Sequence, residues 1–138
     1  MNVVIDTTIW SLALRRRAHQ LSSDEKRLFE EWADLVNSGR AVLVGPVHQE
    51  VLSGIRGEDV FEALHERLKS FRYIRNLPGD YVQAARFFNT CRSHGVAGSH
   101  GDMLICAIAY RHEASIFTTD PDFPGYAKHL PIRLHTPQ

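Results

Sequence analysis

Val3-Val4-Ile5-Asp6-Thr7-Thr8 is the stretch whose reading decides the fold. Three β-branched apolar residues run without alternation into a carboxylate and two hydroxyls. A short apolar run of this kind reads as a strand covered on both faces, as in a parallel sheet. Asp6 then stands at the strand's C-terminal end. In open α/β sheets that edge binds ligands.

Outward from Asp6 the pattern turns helical. Thr7 or Thr8 is the expected cap of a helix carrying Ile9, Trp10, Leu12, Ala13 and Leu14 and ending at Arg15-Arg16-Arg17. Ser22 and Glu25 have capping-box spacing and open a second helix through Leu28, Phe29, Trp32, Leu35 and Val36. Ala41-Val42-Leu43-Val44 reads as a second buried strand. Gly45-Pro46 breaks it, and Pro46 suits the first turn of a helix that presents Glu50. A further helix is expected over about 57–69, then a weaker strand at Phe71–Ile74. Pro78-Gly79-Asp80 leads into a helix whose expected buried face is Val82, Ala85, Phe88 and Cys91.

A loop with glycines at 95, 98 and 101 opens onto Asp102 and an almost wholly apolar helix, the expected buried centre of the domain. Ala114–Thr118 is a fourth strand, followed by Thr119-Asp120-Pro121-Asp122, and a last short strand falls near 132–134. Strands alternating with helices imply an α/β fold: three α/β/α layers around a central, mostly parallel sheet. The length of 138 residues suggests one domain over 1–138.

Composition narrows the class. Lys+Arg and Asp+Glu are equal at 16 each, so net charge does not argue for a polyanionic partner. Two cysteines are too few for a disulfide framework, and the start lacks a basic, then apolar, leader. Both features favour the cytoplasm. No apolar run approaches the roughly 20 residues needed to span a bilayer. Cys91-x-x-His94 lacks a second matching pair, so zinc is not expected.

Asp6, Glu50, Asp102 and Asp120 all fall on the C-terminal side of such a sheet, with Asp122 close behind. Carboxylates gathered this way repel one another unless a hard divalent cation neutralises them. Metal-assisted attack on a phosphodiester needs such a cluster. Rival plans lack their residues: there is no phosphate-binding Gly-rich loop and no nucleophile elbow. A covalent phosphotransferase of the haloacid-dehalogenase kind needs a second Asp where Thr8 stands.

These four stretches carry a resemblance. Val4-Ile5-Asp6-Thr7-Thr8, Val47-His48-Gln49-Glu50-Val51, Gly101-Asp102-Met103-Leu104-Ile105-Cys106-Ala107 and Phe117-Thr118-Thr119-Asp120-Pro121-Asp122-Phe123 resemble, in order and spacing, the PIN-domain ribonucleases of the VapC toxin type. The resemblance implies an endoribonuclease that uses Mg²⁺, with Mn²⁺ able to substitute. Its metal site would be Asp6, Glu50, Asp102 and Asp120, supported by Thr7 or Thr8, with Asp122 as an extra acid. It also implies RNA as substrate (transfer, ribosomal or messenger), a VapB-like antitoxin as partner, and a homodimer. Trp10, Phe29 and Trp32 read most simply as core residues; apolar residues of the first helices forming a dimer or partner surface, as in the resembled family, are the alternative. His100 stands where many relatives carry a further acid, and could touch substrate phosphate. The alternative is a catalytically silent PIN-like protein that only binds RNA or a partner.

Overall fold

A computed structural model describes residues 1–137. Five strands form one sheet in the order β3-β2-β1-β4-β5: β1 Val3–Ile5, β2 Ala41–Val44, β3 Arg72–Ile74, β4 Ser115–Phe117 and β5 Arg133–Leu134. Every pairing is parallel, so the sheet is wholly rather than mostly parallel. The central strand is β1, whose three residues are fully buried, as the absence of alternation requires.

Between the strands lie α1 Thr7–Leu14, α2 Ser23–Asn37, α3 Gly45–Leu52, α4 Glu58–Leu68, α5 Pro78–Ser93, α6 His100–Arg111 and the short α7 Phe123–Ala127. The chain moves from β1 through β2 to β3 in one direction, then crosses back to β4 and β5. Right-handed crossovers therefore set α1–α4 on one face and α5–α7 on the other, giving three layers. Strand order reverses between β1 and β4, which makes that edge the topological switch point. Among the described residues no helix is long and apolar enough to cross a membrane.

Two packing features hold the site's supports. Trp10 lies edge-on to Trp32 and Phe71, with ring centroids 5.8 and 4.7 Å away. Its Nε1–H donates to the Ile5 carbonyl at 2.9 Å, clamping α1 to the last residue of β1. Ser22 and Glu25 form the expected capping box of α2.

The rotation of α5 differs from the expectation. Asp80, Ala84, Phe87 and Cys91 face inward, while Val82 is 55% exposed and Ala85 is also exposed. An ion pair between the buried Asp80 and the exposed Arg111 lies on the inward side. Asp80 is 2% exposed and takes Arg111 Nε at 2.7 Å and Nη2 at 3.0 Å, with the Leu77 amide at 2.8 Å. Burial pushes the Asp80 carboxyl up, but Arg111 and the Leu77 amide outweigh it and hold it below the usual carboxylate range. Arg111 also donates to the Arg75 carbonyl, so one guanidinium ties the end of α6 to the segment between β3 and α5.

The large apolar residues of the first helices go mainly to the core, the simpler of their two readings. Ile9, Trp10, Leu12 and Ala13 of α1, and Trp32 and Leu35 of α2, are buried in the chain's own core. Large exposed apolar residues cluster instead around β3 and α5, at Tyr73, Leu77, Tyr81 and Val82.

Candidate active site

Four separate segments, three following strands and one opening α6 after α5, deliver the acids to one edge of the sheet. Asp6 follows β1, Glu50 lies on α3 after β2, Asp102 is in the first turn of α6, and Asp120 follows β4. Asp6 and Asp120 thus flank the switch point.

Asp6 is 4% exposed, and its amide bonds to the Phe117 carbonyl of β4. It occupies the cap position of α1 that was expected of Thr7 or Thr8, yet its side chain caps nothing. Instead Oδ2 accepts from Thr118 Oγ1 at 2.6 Å and from Thr8 Oγ1 at 3.2 Å. Thr118 Oγ1 also accepts the Asp120 amide at 2.9 Å, so one hydroxyl orients two acids. Asp120 Oδ1 in turn accepts the Asp122 amide at 2.9 Å.

Asp102 is held from two sides. Ser99 caps α6 and accepts the Asp102 amide at 3.0 Å; the acid itself stands three residues inside the helix. Asp102 Oδ2 accepts from the Tyr126 hydroxyl at 2.8 Å. Burial, then this bond, push the Tyr126 phenol far up, so it stays a donor.

Electrostatics joins the acids into one unit. Burial raises the Asp102 carboxyl; the Tyr126 bond opposes this, and the charges of Asp120 and Asp6 add to it. Glu50 is an exposed residue whose carboxyl is raised first by partial desolvation and then by Asp6 and Asp102. The Thr7 hydroxyl opposes the shift from nearby, although its buried Oγ1 makes no bond of hydrogen-bond geometry. One carboxylate oxygen from each of Asp102, Asp120 and Asp122 lies within 4.8 Å of the others. Asp122, expected only as an extra acid, therefore sits inside the tightest group, whereas Asp6 and Glu50 couple to that group through their charge.

An all-oxygen donor set with mutual repulsion and an unpartnered buried hydroxyl fits a hard divalent cation that keeps part of its water. Cys91 and Cys106 are free thiols, both buried.

The family model described as PIN domain matches residues 3–129. The chain belongs to the PIN-domain family. Ribonuclease VapC11 of Mycobacterium tuberculosis is 28% identical over 134 residues, covering 91% of this chain and 92% of that protein. Among solved structures, FitAcB from Neisseria gonorrhoeae superposes with a TM-score of 0.75 at 20% identity, covering 98% of this chain and 97% of that one. VapBC2 from Rickettsia felis, bound to a DNA fragment from its promoter, gives 0.74 at 13% identity, covering 98% of each. At such identities the two structures speak for the fold, and the PIN α/β/α arrangement is the one described above.

Three supports of this PIN-domain site go beyond the acids. Ser99 was readable in sequence, because Ser-x-x-Asp is a cap signature. Thr118 was legible only as a strand-end hydroxyl; its bridging of Asp6 and Asp120 depends on β1 and β4 being neighbours. Tyr126 carries no local signal, since it reaches Asp102 from α7, 24 residues further along the chain.

Proposed function

We propose that this PIN-domain protein is a metal-dependent endoribonuclease acting as the toxin of a VapBC-type pair. The observation that supports it best is the convergence of Asp6, Glu50, Asp102 and Asp120 at the switch-point edge, each from a different segment. The named VapC ribonuclease relative supports RNA as the substrate.

Asp6, Asp102 and Asp120 would hold Mg²⁺ or Mn²⁺, with Glu50 and Asp122 contacting it directly or through water. A cation bound there supplies Lewis acidity, lowering the pKa of a water and offsetting charge on phosphoryl oxygens. The chain's own part is positioning. Thr118 and Thr8 orient Asp6, Tyr126 and Ser99 orient Asp102, and the Thr118 hydroxyl fixes the Asp120 backbone. Glu50, its carboxyl raised by desolvation and by the charges of Asp6 and Asp102, is one of the acids a bound cation would relieve of repulsion. Hydrolysis without a side-chain nucleophile leaves a 5′-phosphate and a 3′-hydroxyl.

The same reading includes cytoplasmic action, arrest of translation and growth, and an antitoxin that blocks the site. A trough of about 510 Å³ supports the partner: Leu14, Ile55 and Val60 line it beside Arg15, Arg56 and Arg67. It suits an acidic amphipathic segment. A homodimer is also part of the reading, supported by exposed Tyr73, Leu77 and Val82 beside the edge strand β3.

The test maps RNA 5′ ends in cells after induction of wild type and of Asp6→Ala. Discrete new ends and growth arrest with wild type alone are expected. Equal cleavage by Asp6→Ala would refute the site, and no cleavage by wild type would favour a silent binding protein.

A further inference from the structure

A second concavity adjoins the acids and takes no part in the metal site. It is a cleft of about 680 Å³ between α3, α5 and α6. Gln49 and Gly101 line it, and the next residue on each helix is an acid of the cluster, Glu50 and Asp102. Its walls combine two kinds of group. Tyr81, Phe88 and His100 offer ring surfaces, and the His100 ring already packs on Phe88 with centroids 5.2 Å apart. Gln49, Asn76 and Asn89 offer amides. Among the described residues no Asp, Glu, Lys or Arg lines the cleft.

The amides are not committed to the fold. Gln49 and Asn89 make no side-chain hydrogen bond to another described residue. Asn76 Nδ2 donates to the Tyr81 hydroxyl at 3.2 Å, while its Oδ1 is buried without a partner. Gly45 makes room for that amide: a Cβ there would meet Asn76 Oδ1 at 3.0 Å. The chain thus keeps a glycine at the start of α3 and leaves an amide oxygen unsatisfied at the wall of this cleft.

We infer that this cleft binds an unstacked adenine of the substrate RNA, beside the phosphate that is cut. Resting on the ribonuclease reading, this names a base-specificity subsite for it. Three arguments converge. Single-stranded RNA is read by bases splayed onto aromatic side chains and hydrogen-bonded along their edges. Amide side chains pair bidentately with the N6 and N7 edge of adenine, and the usual partners of guanine (Arg, Lys) and of cytosine (Asp, Glu) are absent from the lining among the described residues. Gln49 and Gly101 are the chain neighbours of Glu50 and Asp102, so the cleft wall is built from the same helix turns that carry two of the acids. Tyr81 and Phe88 supply the stacking surfaces, Asn76 sets the Tyr81 ring, and Gln49 and Asn89 read the base edge.

The test uses the full chain with Mn²⁺ and a single-stranded RNA oligonucleotide series. Each position around the cut carries A, G, C, U or an abasic site in turn, and kcat/KM is measured for each. Stacking and edge contacts predict that one fixed position prefers adenine over the other bases, and over the abasic site, by about tenfold or more. Asn89→Ala should lower the ratio of adenine to other bases, and Tyr81→Ala the ratio of any base to the abasic site. A merely structural defect would scale all substrates together and leave both ratios unmoved. Equal rates on abasic and base-bearing RNA at every position would overturn the inference, as would ratios unchanged in both variants. A preference for another base that Asn89→Ala abolishes would overturn the adenine assignment. In each of these cases, cleavage lost in Asp6→Ala leaves the ribonuclease reading standing; absence of any wild-type cleavage would sink both.

Discussion

Thr118→Val is the perturbation that tests the site's architecture most directly. Valine keeps the shape of threonine and removes the one hydroxyl that touches two acids. That hydroxyl donates to Asp6 Oδ2 at 2.6 Å, a length typical of a charge-assisted bond. Such a bond contributes about 1.5–3 kcal/mol. The same oxygen accepts the Asp120 amide at 2.9 Å, so its loss also leaves a backbone donor without that partner. Thr118 is only partly buried, and water recovers part of both terms. A net loss of about 2 kcal/mol remains, equivalent to about thirtyfold in rate or metal affinity. This lies within the about 10–100-fold range for partners that orient metal-binding side chains. Initial cleavage rates of a fluorogenic RNA across a Mn²⁺ titration read the effect, and Thr118→Ser should restore most of it. Wild-type rates and an unchanged Mn²⁺ midpoint in Thr118→Val would refute the idea that this hydroxyl organises the acids.

The raised carboxyl of Asp102 has a consequence for stability without metal. A folded-state value above the unfolded one means the native state binds more protons, so stability falls as pH rises from the ordinary carboxylate value through the folded one. Above the folded value that cost is fully present, so Asp102→Asn should raise Tm in EDTA at alkaline pH while lowering cleavage by more than the about 10–100-fold typical of an outer partner. A Tm unchanged or lowered in EDTA would contradict the repulsion. Asp80 has the opposite sign: its held-down carboxyl contributes stability above the ordinary value that is lost as pH falls through the folded one. Asp80→Asn should cost about 2 kcal/mol in denaturant unfolding at pH 7, because it removes the charge from a buried acceptor while Arg111 stays in contact with water. The gap from wild type should narrow in acid; a constant gap would show that the charge is not the cause.

Much of this protein was legible in one dimension because its decisive signals are local. The unbroken apolar runs Val3–Ile5 and Ala41–Val44 announce strands buried on both faces, and strands in alternation with helices leave few topologies once crossovers must be right-handed. Asp6, Glu50, Asp102 and Asp120 were visible because each follows a strand or opens a helix, and position relative to such a junction is a sequence property. The rotation of α5 was not: apolar spacing pointed to Val82 and Ala85, but the helix buries Asp80, Ala84 and Phe87, with Asp80 paired to Arg111. Nor was the cap of α1, since Thr118, 112 residues away, holds the Asp6 carboxylate where a helix cap would otherwise use it.

By itself, then, the sequence determined the order of elements, the parallel class of the sheet and the acids that reach its C-terminal edge. Periodicity and junction chemistry depend on neighbours a few residues apart. Only the tertiary structure decided which hydroxyls orient those acids, that Asp122 joins Asp102 and Asp120, and that Tyr126 bonds Asp102. It also decided that the amides of Gln49, Asn76 and Asn89 share one cleft with Tyr81 and Phe88. The physical reason is that a hydrogen bond or a pocket wall forms between groups brought together by strand order and helix rotation, and those follow from the packing of the whole chain.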